Sequence, residues 1–279
     1  MVIGLPEIEI LRRDLEREVA GKKIKEVEVQ VAKPVRRNRS RAKFVEKLEG
    51  HKIEKVTRIG VTLLLELDED QILVVEMADG GQLRRHANKD DVDDDNALTI
   101  TFTQHGQLRL VDHGGETAMY VVNADDMPDT VPSIVDLGID PVETPMSWQD
   151  FAEVLLGFDG ELKQLLTNPA VIVGLSDLYA DEILFNAGLR FDRTTGSLSA
   201  QEIRRLYRAV VETLHDAMKY SGTHVPANAF VDVFGEPGSY QDHLSVWGKD
   251  GELSPRSRKP IARTKYKGTW TYYCEQSQV

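Results

Sequence analysis

Four residues near the C-terminus have the spacing of a zinc site, but only one of them is a thiol. Ser254 and Ser257 are separated by two residues, and Cys274 and Ser277 repeat that spacing. A structural zinc bound by two such pairs needs four thiolate or imidazole ligands in tetrahedral positions. Because a serine hydroxyl is a poor zinc ligand, the sequence predicts that this segment holds no zinc. Nothing else in the sequence indicates a cofactor.

The charge of the chain argues against a generic polyanion-binding protein. The formal net charge is −12, whereas contacts to phosphate need lysine and arginine. Five aspartates within residues 90–95 indicate a solvated acidic loop. Residues 33–43 contain six lysines and arginines and no acidic residue, which indicates either an exposed loop or a surface that faces phosphates. The candidate contacts in this basic run are Arg36, Arg37 and Arg39.

The bulk composition is typical of a globular protein of one or two domains. The 279 residues are 41% hydrophobic and 29% charged. No apolar run reaches the length needed to cross a bilayer, and no signal-peptide pattern precedes the first helix. A single cysteine excludes an intrachain disulfide. We therefore expect a cytoplasmic monomer without a membrane partner, associated with the nucleoid if the source is bacterial.

The first half of the chain predicts a helix followed by strands. Pro6 and Glu7 suit the first turn of a helix over residues 6–20, and Gly21 can end it. Short apolar-rich runs separated by turn residues follow, a pattern that favours an antiparallel sandwich. The predicted strands cover residues 24–31, 61–67, 72–77, 98–102, 107–111 and 118–122.

The second half predicts helices and a terminal hairpin. Ser199 and Glu202 form a capping box at the start of a long helix. The hairpin turns at Lys267-Gly268, and we expect strand pairing and aromatic packing to hold it. The predicted helices cover residues 147–156, 160–166, 176–186 and 199–220. The aromatic residues expected to pack are Trp270, Tyr272 and Tyr273.

These patterns together predict an α+β protein with four parts. Residues 1–127 form an N-terminal antiparallel β-sandwich with a leading helix, and the proline-containing segment 128–145 is a linker. Residues 146–235 form a helical domain. Residues 236–279 form a terminal finger hairpin without zinc.

Three segments, in the same order as in the family, resemble the formamidopyrimidine-DNA glycosylase and endonuclease VIII family. The first runs over residues 5–13, and the second, Val-Gly-Leu-Ser-Asp-Leu-Tyr-Ala-Asp-Glu-Ile-Leu-Phe, runs over residues 173–185. The third is the tail from Val246 to Ser277. The resemblance implies a helix–two-turn–helix domain, a DNA groove beside the β-sandwich, and double-stranded DNA, damaged DNA included, as the partner.

The resemblance and the physics of helix ends predict several DNA contacts. Ser176 and Asp177 begin a helix whose N-terminal amides and dipole favour a phosphate. The family has a lysine that approaches DNA at the position of Lys163. It has an asparagine at the position of Asp177, so this carboxylate either repels phosphate or is only a first-turn helix residue. The remaining candidate contacts are Tyr179 and Lys265.

The resemblance also implies where catalysis would occur. The family attacks the sugar C1′ with its N-terminal amine, usually of a proline, and the adjacent glutamate supplies acid–base function. Here those two positions are Ile3 and Gly4, or Val2 and Ile3 if a residue is inserted, so the glutamate is missing. The α-amine of Val2 is a candidate nucleophile or part of an ordinary extended terminus. Glu7 is a candidate acid–base group or a helix N-terminal residue.

Four further groups of the family are replaced. Val61 stands for a hairpin lysine, Asp79 for the methionine that fills the emptied stack, and Thr269 for the finger arginine. The sequence Asp-His-Gly-Gly-Glu at 112–116 stands for the loop that wedges into the duplex. Because base flipping needs apolar wedges and cations, we expect no appreciable excision of 8-oxoguanine or formamidopyrimidine.

Three functions remain open on the sequence. The first is a DNA-binding repair protein of the family with lost or altered N-glycosidic bond cleavage. The second is an active glycosylase with a non-standard site, using Val2 or a water activated by Glu7, Glu116 or Asp177. The third is a protein-interaction module that has kept the scaffold and no longer binds DNA, which the net charge favours.

Overall fold

The computed structural model of the chain describes residues 3–92, 94–104, 106–112, 114, 116–143, 146–226 and 228–279. These residues divide into two units. The first contains Glu7–Val135 and Ser221–Ser239. The second contains Gly4–Pro6, Asp136–Tyr220 and Tyr240–Val279. The segment predicted as a linker, 128–145, is thus shared between the units, and residues 221–235 lie in the first unit rather than with the helical domain.

The first unit is a β-sandwich with a leading helix, in agreement with the sequence prediction. One sheet has the strand order β1-β6-β7-β5 and the other has β2-β3-β4-β8, with antiparallel pairing throughout both. The helices are α1 (Leu5–Val19), α2 (Arg41–Glu46) and α3 (Met127–Thr130). The strands are β1 (Ile24–Val29), β2 (Ile53–Ile59), β3 (Thr62–Leu67), β4 (Gln71–Glu76), β5 (Gln82–His86), β6 (Asn96–Phe102), β7 (Gln107–Val111), β8 (Ala118–Asn123), β9 (His224–Val225) and β10 (Asn228–Ala229).

The core of the first unit lies between the sheets and the apolar face of α1. Ile8, Leu11, Leu15 and Val19 recur at helical spacing and are buried against inward-facing residues of both sheets. Within the two four-stranded sheets, β2 and β5 were missing from the sequence prediction, which also did not include the two-residue strands β9 and β10. Each of β2 and β5 carries charged residues within a short stretch, and pairing with neighbouring strands compensates for that weak local signal.

The second unit contains helices and a terminal hairpin. The capping boxes at Ser147 and at Ser199 with Glu202 are both formed, so local sequence correctly located the helix starts. The helices are α4 (Trp148–Gly157), α5 (Leu162–Thr167), α6 (Asp177–Ala187) and α7 (Ala200–Lys219), and the hairpin strands are β11 (Ala262–Tyr266) and β12 (Thr269–Tyr273). Within the described part of the chain, no helix is long and apolar enough to cross a bilayer.

Candidate functional site

The turn before α6 brings several predicted DNA contacts together. Gly174 has a φ of 67°, a backbone conformation that glycine adopts without strain, and its carbonyl accepts a hydrogen bond from the Leu5 amide at 2.8 Å. Ser176 caps α6 with an extended backbone, and Asp177 occupies the first turn. A surface groove opens beside this turn, and its walls include Asn168 and Lys267. The N-terminal amides of α6 therefore lie next to accessible space.

Lys163, which the resemblance placed at the DNA, is buried inside the second unit. Its side chain is 1% exposed, and Nζ lies 2.7 Å from Asp181 Oδ1 and 3.2 Å from Asp177 Oδ1. Nζ also donates to the Trp270 carbonyl at 3.3 Å. Two carboxylates thus surround the ammonium group, and its charge is neutralised within the protein.

Asp181 completes this buried cluster and links α6 to the hairpin. Its carboxylate accepts hydrogen bonds from Thr271 Oγ1 at 2.6 Å and from the Tyr272 amide at 2.8 Å. Burial raises the pKa of Asp181 to about 6, although the ammonium of Lys163 opposes the shift. The cluster joins α5, α6 and β12, so its first effect is to fix the hairpin on the helices. Asp181 was not among the residues that the sequence predicted for the site.

The remaining predicted contacts of the second unit differ in exposure. Tyr179 is 2% exposed, and its ring lies 6.0 Å from that of Tyr240, so it packs inside the unit. Lys265 is exposed on β11. Thr269, at the position of the family's finger arginine, donates a hydrogen bond to Asp177 Oδ1 at 3.2 Å. Asp177 Oδ1, at the start of α6, therefore contacts both Lys163 Nζ and Thr269 Oγ1.

In the first unit, Arg36, Arg37 and Arg39 are exposed, as a phosphate-facing surface requires. Arg37 is nevertheless paired with Glu76 at 2.8 Å, and its guanidinium lies 4.7 Å from the centre of the Tyr120 ring. Arg36 and Arg39 are the two of these arginines with no ion pair among the described residues. The basic run therefore presents less free positive charge than its sequence indicates.

The described N-terminal segment begins with Ile3 and Gly4, which the sequence comparison aligned with the family's catalytic groups. Ile3 is buried in the core of the first unit, and Gly4 has no side chain. Val2, the candidate nucleophile, lies outside the described residues. Glu7 is fully buried, and its Oε1 accepts a hydrogen bond from the Thr223 amide at 2.9 Å. Among Ile3, Gly4 and Glu7, Glu7 is the residue with a carboxylate. That carboxylate is buried and accepts a backbone hydrogen bond.

The loop that would wedge into a duplex is acidic in this chain. Of residues 112–116, the structure describes 112, 114 and 116, so His113 and Gly115 lie outside the described residues. Glu116 is exposed and pairs with Lys33 at 2.5 Å. The hydrogen bond and charge of Lys33 lower the pKa of this carboxyl. Glu116 therefore stays ionised, and it neutralises Lys33 of the basic run.

The four residues at zinc-ligand spacing form a hydrogen-bonded cluster. Ser254 Oγ lies 3.1 Å from Ser277 Oγ, and Cys274 Sγ lies 3.2 Å from Ser257 Oγ and 3.4 Å from Ser277 Oγ. Three hydroxyl groups and one thiol do not provide the soft anionic ligand set that zinc requires, so these residues do not fit the metal. These hydrogen bonds give partners to polar atoms that would otherwise be buried without one.

Cys274 has an unusual thiol for a fully buried residue. Burial raises its pKa, but hydrogen bonds from Ser257 and Ser277 favour the thiolate and bring the pKa to about 7. The backbone here is anchored independently of the thiol, because the Cys274 amide donates to Gln278 Oε1 at 2.8 Å. Gln278 in turn donates to the Leu189 carbonyl at 2.8 Å.

The aromatic packing expected in the hairpin holds for Tyr273 and is wrong for Trp270. Tyr273 is 9% exposed and packs edge-on against Phe191, with ring centres 5.1 Å apart. Trp270 points outward and is 41% exposed. It contacts Arg263 and Lys265, with the two cationic groups 4.6 and 4.3 Å from its ring centre. Arg263 was not among the predicted contacts, although the strand register places it on the same face as Trp270.

The chain matches family models over most of its length. Residues 3–117 match the formamidopyrimidine-DNA glycosylase N-terminal domain, and residues 137–228 match the H2TH domain of the same enzymes. It is 32% identical to the formamidopyrimidine-DNA glycosylase of Bacillus cereus over 97% of this chain and 96% of that protein. It is 33% identical to the formamidopyrimidine-DNA glycosylase of Listeria monocytogenes over 98% of each.

Two solved structures are similar to this chain over 99% of its length. The Lactococcus lactis Fpg in a complex with abasic-site DNA has a TM-score of 0.86 and 26% identity, with 99% of each chain covered. The MutM (Fpg) protein of Thermus thermophilus has a TM-score of 0.84 and 27% identity, with coverage of 99% of this chain and 98% of that one. The chain therefore belongs to the formamidopyrimidine-DNA glycosylase and endonuclease VIII family.

Proposed function

We propose that this chain is a DNA-repair-type protein that binds duplex DNA, damaged DNA included, and in which N-glycosidic bond cleavage is lost or altered. Full-length likeness to a glycosylase in complex with abasic-site DNA supports the binding. The loss of activity is supported by the N-terminal segment, where the family's catalytic positions fall on Ile3 and Gly4, or on Val2 and Ile3 if a residue is inserted, and where Ile3 is buried. Loss of one positioned acid–base group alone costs roughly 10²–10⁴-fold in rate.

The exposed cations support the DNA-binding part of this proposal. Arg36, Arg39 and Lys265 are accessible, and each phosphate contact that a protein makes adds about 0.9 to the salt dependence of log K. Lys163 does not contact DNA in this proposal. It positions Asp177 and the hairpin, which it contacts. We expect the protein to act as a monomer in the cytoplasm or at the nucleoid, without a membrane partner.

The terminal finger is proposed to fold without zinc. The hydrogen-bonded set of Ser254, Ser257, Cys274 and Ser277 takes the place of the metal. Strand pairing between β11 and β12 and the buried Lys163–Asp181 pair supply the remaining support. Such a finger folds whether or not metal is available. It also lacks the set of four thiolate ligands whose oxidation would release a zinc ion.

Two assays test binding and chemistry separately. Fluorescence anisotropy over a range of salt concentrations, on intact and abasic-site duplexes, should show salt-dependent binding. Replacing Arg36, Arg39 and Lys265 by alanine should weaken it, while Arg208→Ala, an exposed arginine on α7, should not. Single-turnover assays with borohydride trapping should show little excision or strand cleavage. Fast excision that persists with a blocked N-terminus would show that a side-chain-activated water does the chemistry.

A second candidate function is favoured by the charges of the chain. Asp177 and Asp181 neutralise Lys163, and the chain has a net charge of −12, so the scaffold could have been retained for a protein partner. Undetectable affinity for every duplex at low salt would favour this interaction module over the DNA-binding protein.

A further inference from the structure

The outer face of the terminal hairpin carries two aromatic and two cationic side chains. Lys265 pairs directly across the strands with Trp270, and Arg263 pairs with Tyr272. Because side chains alternate along a strand, these four residues share one face. On the opposite face, Thr271 is fully buried and donates a hydrogen bond to Asp181. The hairpin is therefore fixed from behind and presents aromatic and cationic groups in front.

Trp270 is the most unusual residue of this face. A tryptophan that contributes only to stability is normally well buried, yet this one is 41% exposed. The guanidinium of Arg263 and the ammonium of Lys265 hold the ring from the neighbouring strand, at 4.6 and 4.3 Å from its centre. Arg263 also pairs with Asp250 at 3.3 Å, which fixes it further, while Lys265 forms no ion pair among the described residues. The ring is positioned but accessible.

The charge around this face selects the class of partner. Residues 253–274 contain six lysines and arginines and no acidic residue, in a chain whose net charge is −12. Such a local excess of positive charge is complementary to a polyanion. An exposed ring beside two cations further matches a nucleotide, because a base stacks on the ring while adjacent phosphates lie near the cations. An acidic peptide would use the cations and leave the ring without a stacking partner.

We propose that Trp270, with Lys265 and Arg263, is a stacking platform for an unpaired DNA base, with the flanking phosphates held by the two cations. This inference rests on the proposed DNA-binding function and adds to it a preference for DNA that contains an unstacked nucleotide. The platform is a binding surface and involves no covalent step.

Affinity measurements on two DNA forms test the platform. The probes are a continuous duplex and the same duplex with one unpaired thymine. Trp270→Ala should weaken binding to the second probe by roughly 5- to 150-fold, the range for one base stacked on an aromatic side chain, and change binding to the first less than about twofold. Trp270→Phe should retain most of the affinity. The matched control is Trp148→Ala, which removes another partly exposed tryptophan with an arginine, Arg204, 4.7 Å from its ring centre.

A spectroscopic measurement reports on stacking directly. The chain has three tryptophans, so a Trp148→Phe and Trp247→Phe background leaves Trp270 as the single indole fluorophore. Its emission should be quenched on titration with oligothymidylate and unchanged on titration with an acidic peptide. If the wild type binds the duplex while Trp270→Ala binds the unpaired-thymine probe equally well, the platform is refuted and the proposed function stands. If the wild type binds neither probe, both fall.

Discussion

Replacing Asp177 by asparagine should increase the affinity of this protein for DNA. The carboxylate occupies the first turn of α6, where the amides and dipole of a helix otherwise attract anions. It lies 3.2 Å from Lys163 Nζ and is about one-third exposed. The asparagine has the same shape and can still accept the hydrogen bond from Thr269. Lys163 keeps its closer partner Asp181 at 2.7 Å, so the variant leaves no buried charge without a counter-ion.

Elementary electrostatics gives the size of the effect. Two unit charges about 6 Å apart in water repel each other by roughly 0.7 kcal/mol. Two phosphates within a Debye length of about 8–10 Å raise the repulsion by Asp177 to about 1 kcal/mol. Removing it should tighten binding about fivefold, and one added phosphate contact should steepen the salt dependence of log K by about 0.9. The cost in stability should stay near 0–1 kcal/mol, the range for a partly exposed ion pair.

The assay is anisotropy with a labelled abasic-site duplex at several salt concentrations, with Asp177→Asn compared with the wild type. Asp192→Asn is the matched control, because Asp192 is a similarly exposed aspartate of the same unit that pairs with Arg190 at 2.9 Å. It should change affinity less than about twofold. Unchanged or weaker binding by Asp177→Asn, with an unchanged salt slope, would refute the reasoning, since DNA would then not approach the start of α6.

Three further predictions concern the finger and the core. Elemental analysis should find no stoichiometric zinc in the wild type, whereas replacing Ser254, Ser257 and Ser277 together by cysteine should create a zinc site, as retained ligand spacing implies. The ultraviolet absorbance of the single thiolate should titrate with a midpoint near pH 7, and because this pKa is lowered on folding, the stability that Cys274 contributes should increase as pH rises from about 7 to 9. Burial raises the pKa of Glu9, but neighbouring guanidinium groups lower it to about 2. The stability advantage over Glu9→Gln, measured by urea unfolding, should therefore be full above about pH 4.5 and shrink as pH falls toward 2.

The sequence predicted those elements whose signals are local. The Ser199–Glu202 capping box and the hairpin turn at Lys267-Gly268 both depend on residues a few positions apart, and both are present. Strands β2 and β5 were missed because both carry charged residues, and their stability comes from pairing with β3 and β7 rather than from their own composition. The division of segment 128–145 between the two units likewise depends on packing that no local pattern encodes.

The sequence by itself determined the family, the order of elements and the loss of the zinc ligands, because these depend on residue identity and spacing. Only the tertiary structure decided which charges are free. Lys163 looks like a DNA-facing lysine on its helix, yet Asp177 and Asp181, at least fourteen positions away, enclose it. Trp270 looks like a core aromatic, yet strand register places it outward beside Lys265. Burial and charge pairing are properties of contacts between distant segments, so they appear only when the chain is folded.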